Sequence, residues 1–258
     1  MIKVKFKYKA YEYYRFRRSI ITIFIVLIVD LVMCAGLRLW ETDEKHLFVV
    51  LGICLILLVL FIFGRQFLIG ALSVIDLDYK TLYDIDKRKG NKPENVSINY
   101  ALSGDCLFYE GRFSEAAENY GEALKHTKKK RCIYAIRHML ILSLFLSENT
   151  ENIGALIAQQ RSTSPKGLGK GVKESEEKYY DFIENFLKGD YNGAIMAIQP
   201  LLNDGAIAIL NSRKVLVNYL MSIAFSWSGN AEAQAHCKSQ VLEADKNRKT
   251  IFSYFCSK

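Results

Sequence analysis

The chain has 258 residues, of which 50% are hydrophobic, and a formal net charge of +8. At about 150 residues per domain, this length leaves room for one or two domains. Disordered chains are poorer in apolar residues and collagen-like chains are far richer in Gly and Pro, so the composition excludes both classes.

Two apolar stretches follow a basic cytoplasmic segment at residues 1–18. Between Ile20 and Leu37 the only charged residue is Asp30, and between Leu47 and Phe63 there is none. A bilayer core about 30 Å thick is crossed by roughly 20 helical residues. We therefore predict a transmembrane helical hairpin over residues 19–70, with spans at about 19–40 and 46–66. A cleavable signal peptide is a poor alternative, because a second apolar stretch follows the first.

The distribution of Lys and Arg predicts the orientation of this hairpin. Residues 1–18 carry seven basic side chains, the turn between the spans is acidic, and Arg65 follows the second span. By the positive-inside rule both termini are cytoplasmic, as in an integral protein of a bacterial inner membrane. The four Cys residues outside the spans have no paired spacing, which suits thiols in a reducing compartment.

Asp30 lies near the middle of the first span, where a charged side chain costs about 2.5–3.5 kcal/mol on insertion scales. Two interpretations stay open. Asp30 either contacts another membrane protein or a second copy of this chain, or it is protonated and bonded to a backbone carbonyl within its own hairpin. The first interpretation includes a homo-oligomer formed through the spans.

The basic segment has two interpretations as well. Each cation near an anionic leaflet gains about 1 kcal/mol, so the segment is a candidate contact for membrane lipid headgroups. The positive-inside rule explains the same charges without lipid contact. A position this close to a bilayer argues against nucleic acid as the partner. The candidate headgroup contacts are Lys3, Lys5, Lys7, Lys9, Arg15, Arg17 and Arg18.

Residues 71–96 form a predicted juxtamembrane linker. Within it, residues 75–86 read IDLDYKTLYDID, which alternates apolar residues with Asp as an extended strand does. Such a strand could pair with the alternating lysines of residues 3–9 in a small ribbon. Ile75, Tyr79 and Tyr83 also fit the stripe of a helix, so both structures stay open.

From residue 97 to residue 258 the apolar positions recur at helical spacing, and one pattern returns along the chain. Its clearest copy places small and aromatic residues at Tyr100, Gly104, Gly111, Phe113, Ala116, Tyr120 and Ala123. Shorter copies contain Gly189, Tyr191, Ala194, Ile198, Leu201, Gly229, Ala231 and Ala233. A long apolar helix with a turn near Asn149 lies between the copies, so turns are expected near residues 111, 149, 189 and 229.

This pattern resembles the tetratricopeptide repeat, in which small residues stand where two antiparallel helices touch and a glycine lets the chain reverse. The predicted fold class is therefore all-α, a two-helix transmembrane hairpin followed by a tetratricopeptide-like α-solenoid of about four helical hairpins. An unrelated helical bundle is the alternative, since small-residue periodicity occurs there too.

The resemblance implies protein or peptide binding along a concave surface formed mainly by the first helix of each pair. Aromatic and apolar residues on the third and fourth hairpins are the candidates for this groove. They are Tyr179, Tyr180, Ile183, Phe186, Tyr219, Ile223 and Trp227. Packing between hairpins is the alternative role for most of them.

No catalytic residue, metal ligand or cofactor site is predicted. The four His residues show no metal-ligand spacing, and Lys170 is followed by Gly171 where a phosphate loop needs Ser or Thr. Five cations between Lys125 and Arg131 indicate a solvated loop, with contact to anionic headgroups or an acidic partner as the alternative.

These features predict a membrane-anchored cytoplasmic scaffold that recruits a protein partner to the inner face of the membrane, and not an enzyme. Tethering would raise the local concentration of that partner. One alternative is an accessory subunit of a larger transport or secretion complex, with the spans as its interface. The other is a membrane-bound enzyme whose catalytic groups converge only in space.

Overall fold

Helices form the described part of the chain. The computed structural model describes residues 79–87, 90–163, 165, 170–203, 211–247 and 250–257, all within the unit Leu72–Lys258. These residues contain no strand. The helices are α1 (Tyr79–Asp86), α2 (Pro93–Tyr109), α3 (Phe113–His126), α4 (Lys130–Leu146), α5 (Ile153–Ser162), α6 (Lys170–Leu187), α7 (Tyr191–Ile198), α8 (Pro200–Asn203), α9 (Asn211–Trp227), α10 (Ala231–Ala244) and α11 (Ile251–Cys256).

Eight of these helices pack as four consecutive hairpins. The pairs are α2 with α3, α4 with α5, α6 with α7, and α9 with α10. Between hairpins, α3 packs on α4 and α7 packs on α9. Helix α6 meets α4 through side chains, since the rings of Phe145 and Phe182 lie 5.9 Å apart. Each hairpin therefore buries its apolar face against a neighbour, as expected when two short helices cannot form a core alone.

The four hairpin turns share one geometry. In each turn a single residue has a positive φ, and the next residue donates its N–H to the carbonyl five positions earlier. The residues with positive φ are Gly111, Glu148, Gly189 and Gly229. The corresponding hydrogen bonds are Arg112 to Leu107, Asn149 to Leu144, Asp190 to Asn185 and Asn230 to Phe225. This is the bonding of a Schellman motif, which satisfies carbonyl groups at the helix end.

A close approach of α2 and α3 explains the small residue at Gly104. A methyl group at this position would come within 2.7 Å of the Tyr120 ring. Tyr120 itself is buried, and its hydroxyl donates a 2.7 Å hydrogen bond to Oδ1 of Asp105. The ring therefore occupies the space that the absent side chain of Gly104 leaves.

The last helix joins the two ends of the array. Phe252 of α11 is fully buried, with ring centroids 5.8 Å from both Phe108 and Tyr109 of α2 and 4.7 Å from Tyr219 of α9. Ile251 lies against the first hairpin turn so closely that a methyl group on Gly111 would come within 2.5 Å of it. The first and fourth hairpins are thus connected through one short helix.

A buried carboxylate positions this helix. Oδ2 of Asp245 accepts hydrogen bonds from the backbone N–H of Thr250 at 2.9 Å and from its hydroxyl at 2.8 Å. The hydroxyl of Ser253 donates to the same oxygen. Because Thr250 is the residue that precedes α11, these bonds set the direction in which the helix leaves α10.

The predicted fold class needs correction. It placed a transmembrane hairpin before a tetratricopeptide-like α-solenoid of about four hairpins, but no helix among the described residues is long and apolar enough to cross a bilayer. The longest of them, α6, has 18 residues and is rich in Lys and Glu. The predicted spans, at about 19–40 and 46–66, lie outside the described residues. The fold in the described part is an all-helical array whose ends meet at α11, because Phe252 packs on both.

The prediction of an extended ribbon at residues 75–86 also needs correction. Residues Tyr79–Asp86 form helix α1, and the proposed partner strand at residues 3–9 lies outside the described residues. The Tyr79 ring stacks on the Tyr109 ring at 3.8 Å, and the Cys106 thiol donates to the Tyr79 carbonyl at 3.1 Å. Packing against α2 therefore favours the helical alternative.

Two glycine substitutions should change the stability of the fold in opposite directions. Gly104→Ala should lower the free energy of unfolding by about 1–3 kcal/mol, because the new methyl group overlaps the Tyr120 ring. Gly121→Ala should raise it by about 0.5–1 kcal/mol, because that helical position faces open space. Denaturant unfolding of the full chain, followed by circular dichroism, measures both. Equal effects of the two variants would contradict the close packing at Gly104.

Candidate functional site

The seven residues predicted to line a partner-binding groove have very different exposures. Tyr179, Tyr180 and Ile183 are buried in the core. Phe186, Tyr219 and Ile223 are partly buried, and the first two pack against that core. Trp227, in contrast, is 65% exposed. The structure therefore places most of the predicted groove inside the molecule and leaves one of its residues on the surface.

The inner faces of the first helices meet each other, which explains this burial. Tyr179 of α6 packs edge-on against His138 of α4, with ring centroids 5.5 Å apart. Tyr109 of α2 is buried beside Phe252. Side chains of α4 and α6 therefore contact each other, and so do side chains of α2 and α11.

An aromatic ladder leads from this core to the surface. Its members are Phe145, Phe182, Phe186, Tyr191 and Trp227. The Phe186 ring lies 5.3 Å from Phe145 and 5.2 Å from Tyr191. Tyr191 in turn stacks on Trp227 at 5.9 Å with 27° between the ring planes. The exposed indole is therefore fixed by a chain of ring contacts that begins at buried Phe182.

The geometry of Trp227 suits a contact residue. It is the last residue of α9, beside the fourth hairpin turn, and Leu187 is exposed at the equivalent end of α6. Trp and Tyr are enriched among residues that dominate binding energies at protein interfaces. A side chain already fixed by stacking loses little conformational freedom on binding. Exposure and rigidity therefore coincide at this position.

A polar network lies between the second and third hairpins. His138 of α4 lies 2.9 Å from the Tyr180 hydroxyl, measured from Nδ1, and that hydroxyl lies 3.2 Å from Oε2 of Glu176. Gln160 of α5 donates to the Tyr134 carbonyl at 2.9 Å. His138, Tyr180 and Glu176 form one continuous series of hydrogen bonds when neutral His138 carries its proton on Nδ1. In that tautomer Nδ1–H donates to Tyr180, and Tyr180 donates to Glu176.

Burial favours the neutral forms of His138 and Glu176, the two ionisable groups in this hydrogen-bond series. The pKa of His138 falls from 6.5 to about 4, first because of burial and then because of the nearby charge of Arg213. Burial raises the pKa of Glu176, although Tyr134, Tyr180 and Gln160 donate hydrogen bonds that oppose the shift. The side chains of His138 and Glu176 are only 14% and 13% exposed, and they face each other. The arrangement holds the two hairpins together through hydrogen bonds.

Two arginines extend this network, Arg137 within the second hairpin and Arg161 between the second and third hairpins. Arg137 is 8% exposed, and its guanidinium donates to the neutral side chains of Gln160 at 3.3 Å and Thr163 at 3.1 Å. Arg161 at the end of α5 forms ion pairs with three carboxylates one turn apart on α6. They are Glu177, Asp181 at 3.0 Å and Glu184 at 2.7 Å. Long polar side chains therefore connect α5 to α6.

Another carboxyl, that of Asp105, is partly buried in the first hairpin. Burial raises the pKa of Asp105 from 3.8 to about 6, although the hydrogen bond from Tyr120 opposes the shift. The neighbouring Tyr109 hydroxyl is buried as well, and its pKa rises to about 12. Asp105 and His138 were not among the predicted site residues. The sequence does show each of them as an ionisable residue on the apolar face of a helix. Their burial, however, depends on other helices that pack on that face, which the sequence does not reveal.

The remaining predicted sites fall outside the described residues. These are Asp30 and the basic side chains Lys3, Lys5, Lys7, Lys9, Arg15, Arg17 and Arg18. Within the described ranges, no group of three or more His, Cys, Asp or Glu residues is arranged to hold a metal ion.

Comparison of the chain with protein-family models, with curated proteins and with solved structures finds no match. The resemblance to the tetratricopeptide repeat therefore stays a prediction.

Asp105→Asn should stabilise the protein at neutral pH. The folded state holds the Asp105 proton more tightly than the unfolded state, so this group lowers stability as the pH rises from about 4 to about 6. Asparagine keeps an acceptor for Tyr120 without the charge. We expect a gain of about 1–3 kcal/mol at pH near 7 and little difference near pH 4, measured by denaturant unfolding. Asp84→Asn, at an exposed carboxylate, is the control.

His138→Gln should reduce the loss of stability that the wild type shows as the pH falls, which is opposite in direction to the effect of Asp105. The unfolded state takes up a proton below pH 6.5, whereas folded His138 takes one up only near pH 4. The wild type therefore loses stability in this window as the pH falls, by about 3 kcal/mol at most from this group. The variant should lose less between these pH values in the same unfolding experiment. Parallel curves for the two proteins would contradict the assignment, and His236→Gln on exposed α10 controls for loss of a histidine.

Proposed function

We propose that this chain is a scaffold that binds a protein partner through the exposed end of its aromatic ladder. The observation that carries the proposal is Trp227, which is 65% exposed yet stacked on Tyr191. Six of the seven residues predicted for an inner groove are buried or partly buried, which favours a partner contact elsewhere on the surface. At the turn edge that carries Trp227, a large aromatic ring is both accessible and stacked on a neighbour.

The partner surface should offer an apolar pocket or an apolar helix face for the indole. Truncation of such an anchor typically costs 2 kcal/mol or more at an interface, or about thirtyfold in affinity. The predicted location at the inner face of the membrane depends on residues outside the described part and stays a prediction. So does the alternative of an accessory subunit that binds through its spans.

An enzyme would draw on the facing ionisable pair, His138 and Glu176. These side chains face each other across a closed boundary between hairpins, and their hydrogen bonds are made to Tyr180, Tyr134 and Gln160. We therefore assign the pair to the packing of α4 on α6, and the scaffold remains the function that the geometry supports best.

The test is photo-crosslinking from position 227 in the full-length chain in its own cells. A photoreactive phenylalanine analogue replaces Trp227 in one variant and Met196 in the control. Met196 is 74% exposed on α7, away from the ladder. We expect one defined protein adduct from position 227 and none from position 196, identified by mass spectrometry.

Trp227→Ala should then weaken the purified complex by about thirtyfold. The free energy of unfolding of this variant should change by less than about 1 kcal/mol, because the side chain is mostly exposed. Met196→Ala should bind as the wild type does. Adducts that are identical at the two positions, or an affinity that Trp227→Ala leaves unchanged, would overturn the proposal.

A further inference from the structure

The junction of α3 and α4, where the first hairpin joins the second, carries a set of exposed cations at the end of the hairpins opposite their turns. We call this set the basic loop. It consists of Lys125, Lys128, Lys129, Lys130 and Arg131. Lys125 pairs with Glu122, and Lys129 pairs with Glu94 at 2.9 Å. Among the described residues, Lys128, Lys130 and Arg131 have no carboxylate partner, so the loop keeps an excess of positive charge.

A cleft of about 350 Å³ opens between α1, α2 and α3. The residues that line it include Tyr83, Asn91, Asn99, Tyr100, Ser103 and Asn119. Tyr100 connects the cleft to the loop, because its ring stacks on His126 with centroids 6.1 Å apart, and His126 is the last residue of α3. The cleft and the basic loop are therefore parts of one surface.

The lining of the cleft matches the chemistry of a peptide backbone. Carboxamide side chains offer both a donor and an acceptor, as a backbone amide does. Asn119 uses its Nδ2 on the Glu115 carbonyl at 2.9 Å, which leaves its side-chain oxygen as an acceptor. Asn91 is exposed, and the rings of Tyr83 and Tyr100 add apolar contact area. The volume is in the range of pockets that hold small ligands or a few residues of a peptide.

We propose that this surface binds an acidic, extended peptide segment of a partner protein. The backbone of the segment lies in the cleft, and its carboxylates lie against Lys128, Lys130 and Arg131. A bilayer is the less suitable partner, because a planar surface reaches the lysines of the loop but does not enter a cleft between helices. Site and chemistry are independent of Trp227, so either proposal can fail without the other.

The test measures binding of a fluorescein-labelled peptide of alternating Glu and Ala to the full-length protein by fluorescence anisotropy. A peptide of alternating Lys and Ala is the charge control, and vesicles that contain phosphatidylserine are the lipid control. We expect the acidic peptide to bind, with an affinity that falls as salt is added, and the basic peptide not to bind. No binding of the acidic peptide up to millimolar protein would overturn the proposal.

Variants separate the cleft from simple charge attraction. Lys128→Glu combined with Lys130→Glu should weaken peptide binding about tenfold, whereas Lys188→Glu combined with Lys246→Glu, a matched pair of exposed lysines elsewhere, should not. Tyr100→Ala should weaken it about fivefold without changing the charge. If Tyr100→Ala has no effect, if both lysine pairs act alike, or if only vesicles bind, the surface is not a peptide site.

Discussion

The packing of Phe252 against both the first and the fourth hairpin is the constraint on which the rest of the structure depends. This one buried ring touches Phe108 and Tyr109 on one side and Tyr219 on the other. Terminal hairpins of a helical array need their apolar faces covered, and here the short helix α11 contacts both of them.

Two ionisable groups that the fold shields from solvent, Asp105 and His138, have opposite effects on how stability depends on pH. Asp105 in the first hairpin favours the folded state in acid, whereas His138 at the boundary between the second and third hairpins favours it at neutral pH. The two effects partly cancel in the wild type. The boundary that contains His138 is also the one that Arg161 spans with three ion pairs, so polar contacts between α5 and α6 replace the close helix contacts present elsewhere.

The two proposed contact surfaces lie at opposite ends of the hairpins. Trp227 precedes a hairpin turn, whereas the basic loop connects one hairpin to the next. One surface offers a rigid aromatic ring and the other offers positive charge beside a cleft. Their chemistry is different enough that a single partner could engage one surface with an apolar element and the other with an acidic segment. The proposed scaffold would gain affinity from using both surfaces.

The sequence by itself determined the features that depend on local chemistry. These are helical periodicity, the turns near Gly111, Gly189 and Gly229, and the small residue at Gly104, because each follows from what a few neighbouring residues can adopt. Only the tertiary structure decided which apolar faces are covered. Tyr180 and Trp227 are both aromatic residues on the predicted apolar face of a helix, yet Tyr180 packs in the core and Trp227 is exposed to solvent. Periodicity identifies an apolar face, but distant parts of the chain, above all α11, decide what covers it.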